Sequence, residues 1–203
     1  MNEKANESSW FPLIVVACAS FIIVLDSFFM NVSISRIVVD LNADVSTIQM
    51  IVSFCTLITA ALILFSTKLQ DIVGKKKLFV IGAALFGIGI FAAVLSSSVT
   101  MFFVGWAAIK GVAAALMLPA IVSIISGIYS GRKRTIALAT LGVMAGLADI
   151  LAPLLGGLIT TYLSWRYTFA FELIFILFIL VMQNKIPDFK PTESKMIWIL
   201  LVL

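Results

Sequence analysis

The chain has 203 residues, of which 62% are apolar and only 12% charged, with a formal net charge of +4 and no histidine. An ordinary soluble domain is about half apolar and about a quarter charged, so this chain lacks the polar residues that would cover a water-facing surface. Its mean hydropathy of +1.18, with lysines and arginines confined to short segments between apolar runs, excludes a nucleic-acid-binding face and points to a membrane.

A membrane span needs about 20 apolar residues. On that rule the fold class is all-α, a membrane protein of six transmembrane helices at roughly 11–34, 48–69, 78–97, 100–129, 135–163 and 167–184. Residues 1–10 read as an N-terminus on one side of the membrane and 11–184 as the transmembrane unit. Residues 185–195 read as a linker on the same side as the N-terminus. Residues 196–203 read as the opening of a truncated seventh helix. The first apolar run is too long for a signal-peptide core. Lys68, Lys75-Lys76-Lys77, Arg132-Lys133-Arg134, Lys185, Lys190, Lys195 and Lys4 all fall on one side, against Arg36 and Arg166 on the other. The basic side, with the N-terminus, is expected to be cytoplasmic.

In the first helix Asp26 stands about eight residues from the expected outer end, roughly 12 Å deep. Ionised acids are costly in hydrocarbon, so Asp26 is a candidate to bind a proton or a cation; a hydrogen-bonded structural acid is the alternative. Asn31 is a neighbouring polar group, but five residues on it lies off the Asp26 face. Cys18 and Cys55 lie inside apolar runs and make neither a disulfide framework nor a metal site.

Between the second and third helices, Leu69-Gln70-Asp71-Ile72-Val73-Gly74-Lys75-Lys76-Lys77 joins an acid, a turn glycine and a basic run. Gly74 permits positive φ in a tight connection. Asp71 is placed to pair with a loop cation such as Lys75 or Lys76, or to cap a helix.

Lys110 lies about ten residues into the fourth helix, roughly 15 Å, and Asp149 about fourteen into the fifth, roughly 21 Å. Both are near mid-membrane, and an unpaired charge of either sign is worse than the pair, so an ion pair between them is expected. It reads equally as a proton-linked switch or as a static tie. Gly142, Gly146, Pro153, Gly156 and Gly157 are expected to bend the fifth helix and let neighbours approach closely. Glu172 lies about six residues past Arg166, roughly 9 Å from the outer end, where an acid snorkels or pairs with Arg166.

Several of these segments carry a resemblance. Leu69, Asp71, Gly74 and Lys76 fall on the pattern G-x-L-x-D-x-x-G-R-K, with Thr67 for its first Gly and Lys75 for its Arg; this resembles the signature loop of the major facilitator superfamily. Leu25-Asp26 through Asn31-Val32 is similar to the first-helix motif of that superfamily's fourteen-span drug:proton antiporters. Ala152-Pro153-Leu154-Leu155-Gly156-Gly157 resembles their helix-five motif G-P-x-x-G-G, and Trp165-Arg166-Tyr167-Thr168-Phe169 the W-R-w-x-F opening of their sixth helix. Helix four departs. The pattern R-x-x-Q-G maps onto Ala107 to Gly111, so the buried Arg linked to proton coupling is Ala107 and Lys110 takes the Gln position. Glu172 replaces an Asn.

The resemblance implies the N-terminal half of a transporter, six helices as two three-helix inverted repeats. The implied activity is proton-coupled export of lipophilic or cationic drugs across the plasma membrane. The proton gradient would drive it, with no cofactor and no metal. Asp26, Asn31, Lys110, Asp149 and Glu172 become candidates for proton or substrate coupling, and Asp71 to Lys76 for the conformational cycle. Implied partners are the lipid bilayer, a small-molecule substrate, protons, and a missing C-terminal half or a second copy; no nucleic acid is implied. An uptake permease and a truncated, non-transporting remnant stand as alternatives. An enzyme is not expected, because no nucleophile or metal constellation is present.

Overall fold

A computed structural model describes residues 9–189. The first eight residues, the end of the expected linker and the expected seventh-helix opening at 196–203 lie outside the described residues. Six helices follow one another: α1 Phe11–Asp40, α2 Val45–Val73, α3 Lys75–Val94, α4 Val99–Ile128, α5 Gly131–Tyr162 and α6 Trp165–Met182. All six are long and apolar enough to cross a membrane.

Local signals set the helix ends. Ser98 Oγ accepts from Met101 N–H, and Ser164 Oγ from Arg166 N–H, each capping the helix that follows. Gly74, at φ 99°, is the single residue between α2 and α3. The largest departure from the expected boundaries is α1, which continues through Ile37, Val38 and Val39 to Asp40. That apolar stretch sustains the helix, so Arg36 is helical rather than in a loop. Asp26 is consequently about 14 residues from the end of α1, roughly 21 Å and near its middle, not the 12 Å expected.

The packing has an internal symmetry. α1 lies against α5 and α6, α4 lies against α2 and α3, and α3 meets α6. Exchanging α1, α2, α3 for α4, α5, α6 maps this pattern onto itself. Three crossings reverse the direction of travel, so the two repeats are inverted with respect to one another. α1 and α4 are the central helices, more than half buried along their most apolar stretches, whereas α2 and α5 bury less than a fifth of theirs.

The ends of the bundle differ. At the basic end Trp10 stacks on Tyr129 with ring centroids 5.5 Å apart, and the Tyr129 hydroxyl donates to the Ser9 carbonyl at 2.9 Å. Lys76 pairs with Asp188 at 3.1 Å and Lys75 lies over the Phe189 ring. The loop cations thus reach the segment after α6. The expected pairing with Asp71 is not the one formed, because Lys76 and Lys75 are engaged by Asp188 and Phe189 instead.

Candidate transport site

Midway along α1, Asp26 turns into the bundle and is 1% exposed. Lys110 of α4, at 4% exposure, forms an ion pair with it. Trp106, one turn before Lys110, donates its indole N–H to the other carboxylate oxygen at 3.0 Å. The Lys110 ammonium lies 3.5 Å from the centroid of the same Trp106 ring, a cation–π contact strengthened by desolvation. One side chain therefore holds both members of the pair.

Local backbone geometry places Lys110. Residues Phe103–Ile109 form a π-helical segment directly before it, a widened turn often found at functional sites. Gly105 lets this segment touch α3: a Cβ there would sit 2.9 Å from the Ala93 nitrogen and the Gly89 carbonyl. On the other flank, a Cβ on Gly111 would lie 3.1 Å from the Cys55 carbonyl of α2, and the Thr59 hydroxyl donates to the Gly111 carbonyl at 3.0 Å. α4 is gripped from both sides at the level of its lysine.

A cavity of about 280 Å³ opens beside the pair, lined in part by Asp26, Ser27, Cys55, Thr56, Thr59 and Lys110. It continues along α4 past Ala114 and Leu118, toward the basic end. Toward the opposite end the pair is covered by Phe102, Trp106, Trp165 and Phe169, each no more than 2% exposed and packed edge to face or stacked.

The other sequence candidates are placed as follows. The expected Lys110–Asp149 pair does not form. Asp149 is exposed on α5, whose buried face is Leu141, Ala148, Ala152 and Gly156; the two residues match in depth but not in direction. Asn31 is exposed and donates to the Ser27 carbonyl at 2.9 Å, away from Asp26. Glu172 neither snorkels nor pairs with Arg166. It is fully buried, two turns deeper in α6. Arg166 instead pairs with Asp40, donates to the carbonyls of Val94 at 3.1 Å and Ser96 at 2.8 Å, and lies over the Trp165 ring. It ties together the ends of α1, α3 and α6 and satisfies carbonyls at the C-terminus of α3, where a cation is favoured. Of the helix-five glycines, only Gly156 lies close to a neighbour, a Cβ there falling 3.0 Å from Phe29 of α1; Gly142, Gly146 and Gly157 face open space, and Pro153 is exposed. Trp106 and Thr59 were not singled out from the sequence, and Cys55 was read there only as a thiol within an apolar run. For Trp106 the signal was available, since a residue four before Lys110 shares its helix face.

The profile of the Major Facilitator Superfamily matches residues 16–193. The chain belongs to the Major Facilitator Superfamily. This is a superfamily of transporters, and the chain is a multi-pass membrane protein of that class. It is 26% identical over 163 residues to the riboflavin transporter RibZ of Clostridioides difficile (strain 630), covering 80% of this chain and 36% of that protein. It is 28% identical over 163 residues to the puromycin resistance protein pur8 of Streptomyces alboniger, covering 78% and 31%. The chain thus spans roughly a third of the length of the curated relatives it matches. Among solved structures, the peptide transporter POT (E310Q mutant) in complex with alafosfalin aligns with a TM-score of 0.78 at 16% identity, over all of this chain and 48% of that one. That likeness establishes the superfamily's fold for these six helices.

Proposed function

We propose that the chain is the N-terminal half of a proton-coupled exporter of lipophilic or cationic compounds, set in the plasma membrane with its basic end toward the cytoplasm. The observation that carries this reading is the Asp26–Lys110 pair, buried at mid-helix and bordering a cavity that runs toward the basic end. A proton delivered to Asp26 cancels its charge and leaves Lys110 without its counter-ion. The arrangement of α1 against α4 then loses its main electrostatic tie. A cationic compound entering from the basic end competes with Lys110 for the same carboxylate, so proton and compound oppose one another at one residue. The antiporter-like motif in α5 and the drug-resistance name of one relative support the export direction. The name of the riboflavin transporter supports a second reading, movement of a neutral, vitamin-sized solute.

Everted membrane vesicles containing the protein test this. Proton-driven accumulation of ethidium, abolished by a protonophore and lost in Asp26→Asn, is the expected result. Ethidium accumulation that proceeds unchanged in Asp26→Asn removes the coupling role. Riboflavin movement without any ethidium movement favours the second reading.

A further inference from the structure

Glu172 is the buried acid that the Asp26–Lys110 pair does not use. It is 0% exposed, and neither carboxylate oxygen has a hydrogen-bond donor among the described residues. Its level in the bundle follows from the ring contacts on either side. Phe29 of α1 meets Phe171 of α6, and Phe21 meets Phe175. The two helices run in opposite directions, so residues between those two contacts lie at one level, and Asp26 and Glu172 are the acids in that interval. The groups acting on Glu172 are accordingly Asp26 of α1 and Lys110 of α4. Among the described residues nothing ionisable from the remaining neighbours stands at its level: the lysines of α3 and the basic residues of α5 lie at the basic end, and Asp149 of α5 is exposed. Cys55 of α2 faces Lys110 across the cavity.

Two acids thus face a single base. Lys110 is already committed to Asp26, so the fully buried Glu172 carboxyl lies beside a second carboxyl with no donor of its own. Two acceptor groups side by side are reconciled by one proton between them, as in carboxyl dyads elsewhere. We propose that Asp26 and Glu172 share one proton, with Glu172 the neutral acid of the resting state and Asp26 the counter-ion of Lys110. Glu172 does not border the cavity, whereas Asp26 does. The proton therefore leaves by way of Asp26: it passes from a Glu172 oxygen to an Asp26 oxygen and then to water in the cavity. A single positive charge arriving in the cavity is exchanged for it. This last step rests on the transport reading above; the shared proton does not.

Infrared spectroscopy of the protein reconstituted in lipid tests the proposal, in an Asp149→Asn background so that no other mid-helix acid contributes. At neutral pH the C=O stretch of one protonated carboxyl is expected. It disappears in Glu172→Gln. It also disappears in Asp26→Asn, because Glu172 is then the sole acid facing Lys110 and ionises. No protonated-carboxyl band before either acid is replaced, or a band that survives Glu172→Gln, overturns the proposal; the first of these needs no variant at the cluster to fold. Addition of tetraphenylphosphonium, followed with a pH indicator, separates the two readings. Release of about one proton per bound cation, absent in Glu172→Gln, supports both. A band with the expected variant pattern but no cation binding leaves the shared proton standing and removes the cationic-substrate reading.

Discussion

Asp26 and Lys110 place an acid and a base where the chain crosses the membrane, and each is tolerated there because of the other. Replacing Lys110 leaves Asp26 buried without its base. Lys110→Ala is therefore expected to lower stability by about 3–5 kcal/mol. The double variant Asp26→Asn with Lys110→Met removes both charges and should recover most of that loss. Thermal unfolding of the detergent-solubilised protein checks both, and a double variant no more stable than the single one argues against the pair as the dominant interaction. That a lysine sits at mid-membrane was legible from residue counting, but its partner was not. Counting along a helix yields depth, and Asp149 has the right depth. Direction around the helix axis decides the contact, and that depends on which face each helix turns to its neighbours. Glu172 was misplaced for a related reason: depth measured from Arg166 assumed that the arginine marks the water boundary, whereas Arg166 is drawn into contact with Asp40 and the end of α3.

At the scale of helices, the close approaches, Gly156 apart, are made by glycines other than the ones the pattern favoured. Gly142-x-x-x-Gly146 in α5 has the spacing of a helix-packing motif, yet both residues face open space. Gly89, Gly105 and Gly111 show no such local pattern and bring α3 and α2 onto α4 around Lys110. A motif reports that a helix is able to approach closely; the partner surface determines where it does. The π-helical turn at Phe103–Ile109 is equally hidden, because no residue preference in that stretch marks it. Gly105→Val places branched carbon against backbone atoms of Ala93 and Gly89 that have no rotamer to yield. It is expected to cost about 1–3 kcal/mol and to displace Lys110 from Asp26. Gly142→Ala meets nothing and gains helix propensity, so its stability is expected to be unchanged or raised by up to about 1 kcal/mol. Parallel melting curves of the two variants give the comparison; equal losses would mean that the α3–α4 contact is looser than described.

For the molecule as a whole, six apolar runs of the right length translate into six helices with boundaries shifted by a few residues, because hydrocarbon leaves the backbone few alternatives to a helix. The repeat symmetry follows once the contacts are known: α1 with α5 and α6 mirrors α4 with α2 and α3. The two ends of the bundle are chemically unlike. One carries the α2–α3 lysines, Arg132, Lys133, Arg134 and Lys185; the other carries Arg36 and the tied Arg166. Such asymmetry is what directs insertion, and the proposed orientation keeps the basic end in the cytoplasm. The cavity beside Asp26 runs toward that basic end, so orientation and export direction are linked: a compound entering from the basic end enters from the cytoplasm only if the insertion is as proposed. Both native cysteines lie within the helices, so replacing Cys18 and Cys55 by Ser provides a silent background for labelling. In that background a membrane-impermeant maleimide applied to intact cells is expected to modify Arg36→Cys and to spare Arg132→Cys until the membrane is opened. Both native residues are exposed, so failure to label either after opening would point to misfolding rather than to sidedness. The reverse labelling pattern would invert the chain, turn the cavity toward the outside, and convert the same buried pair from the entrance of an exporter into that of an uptake system.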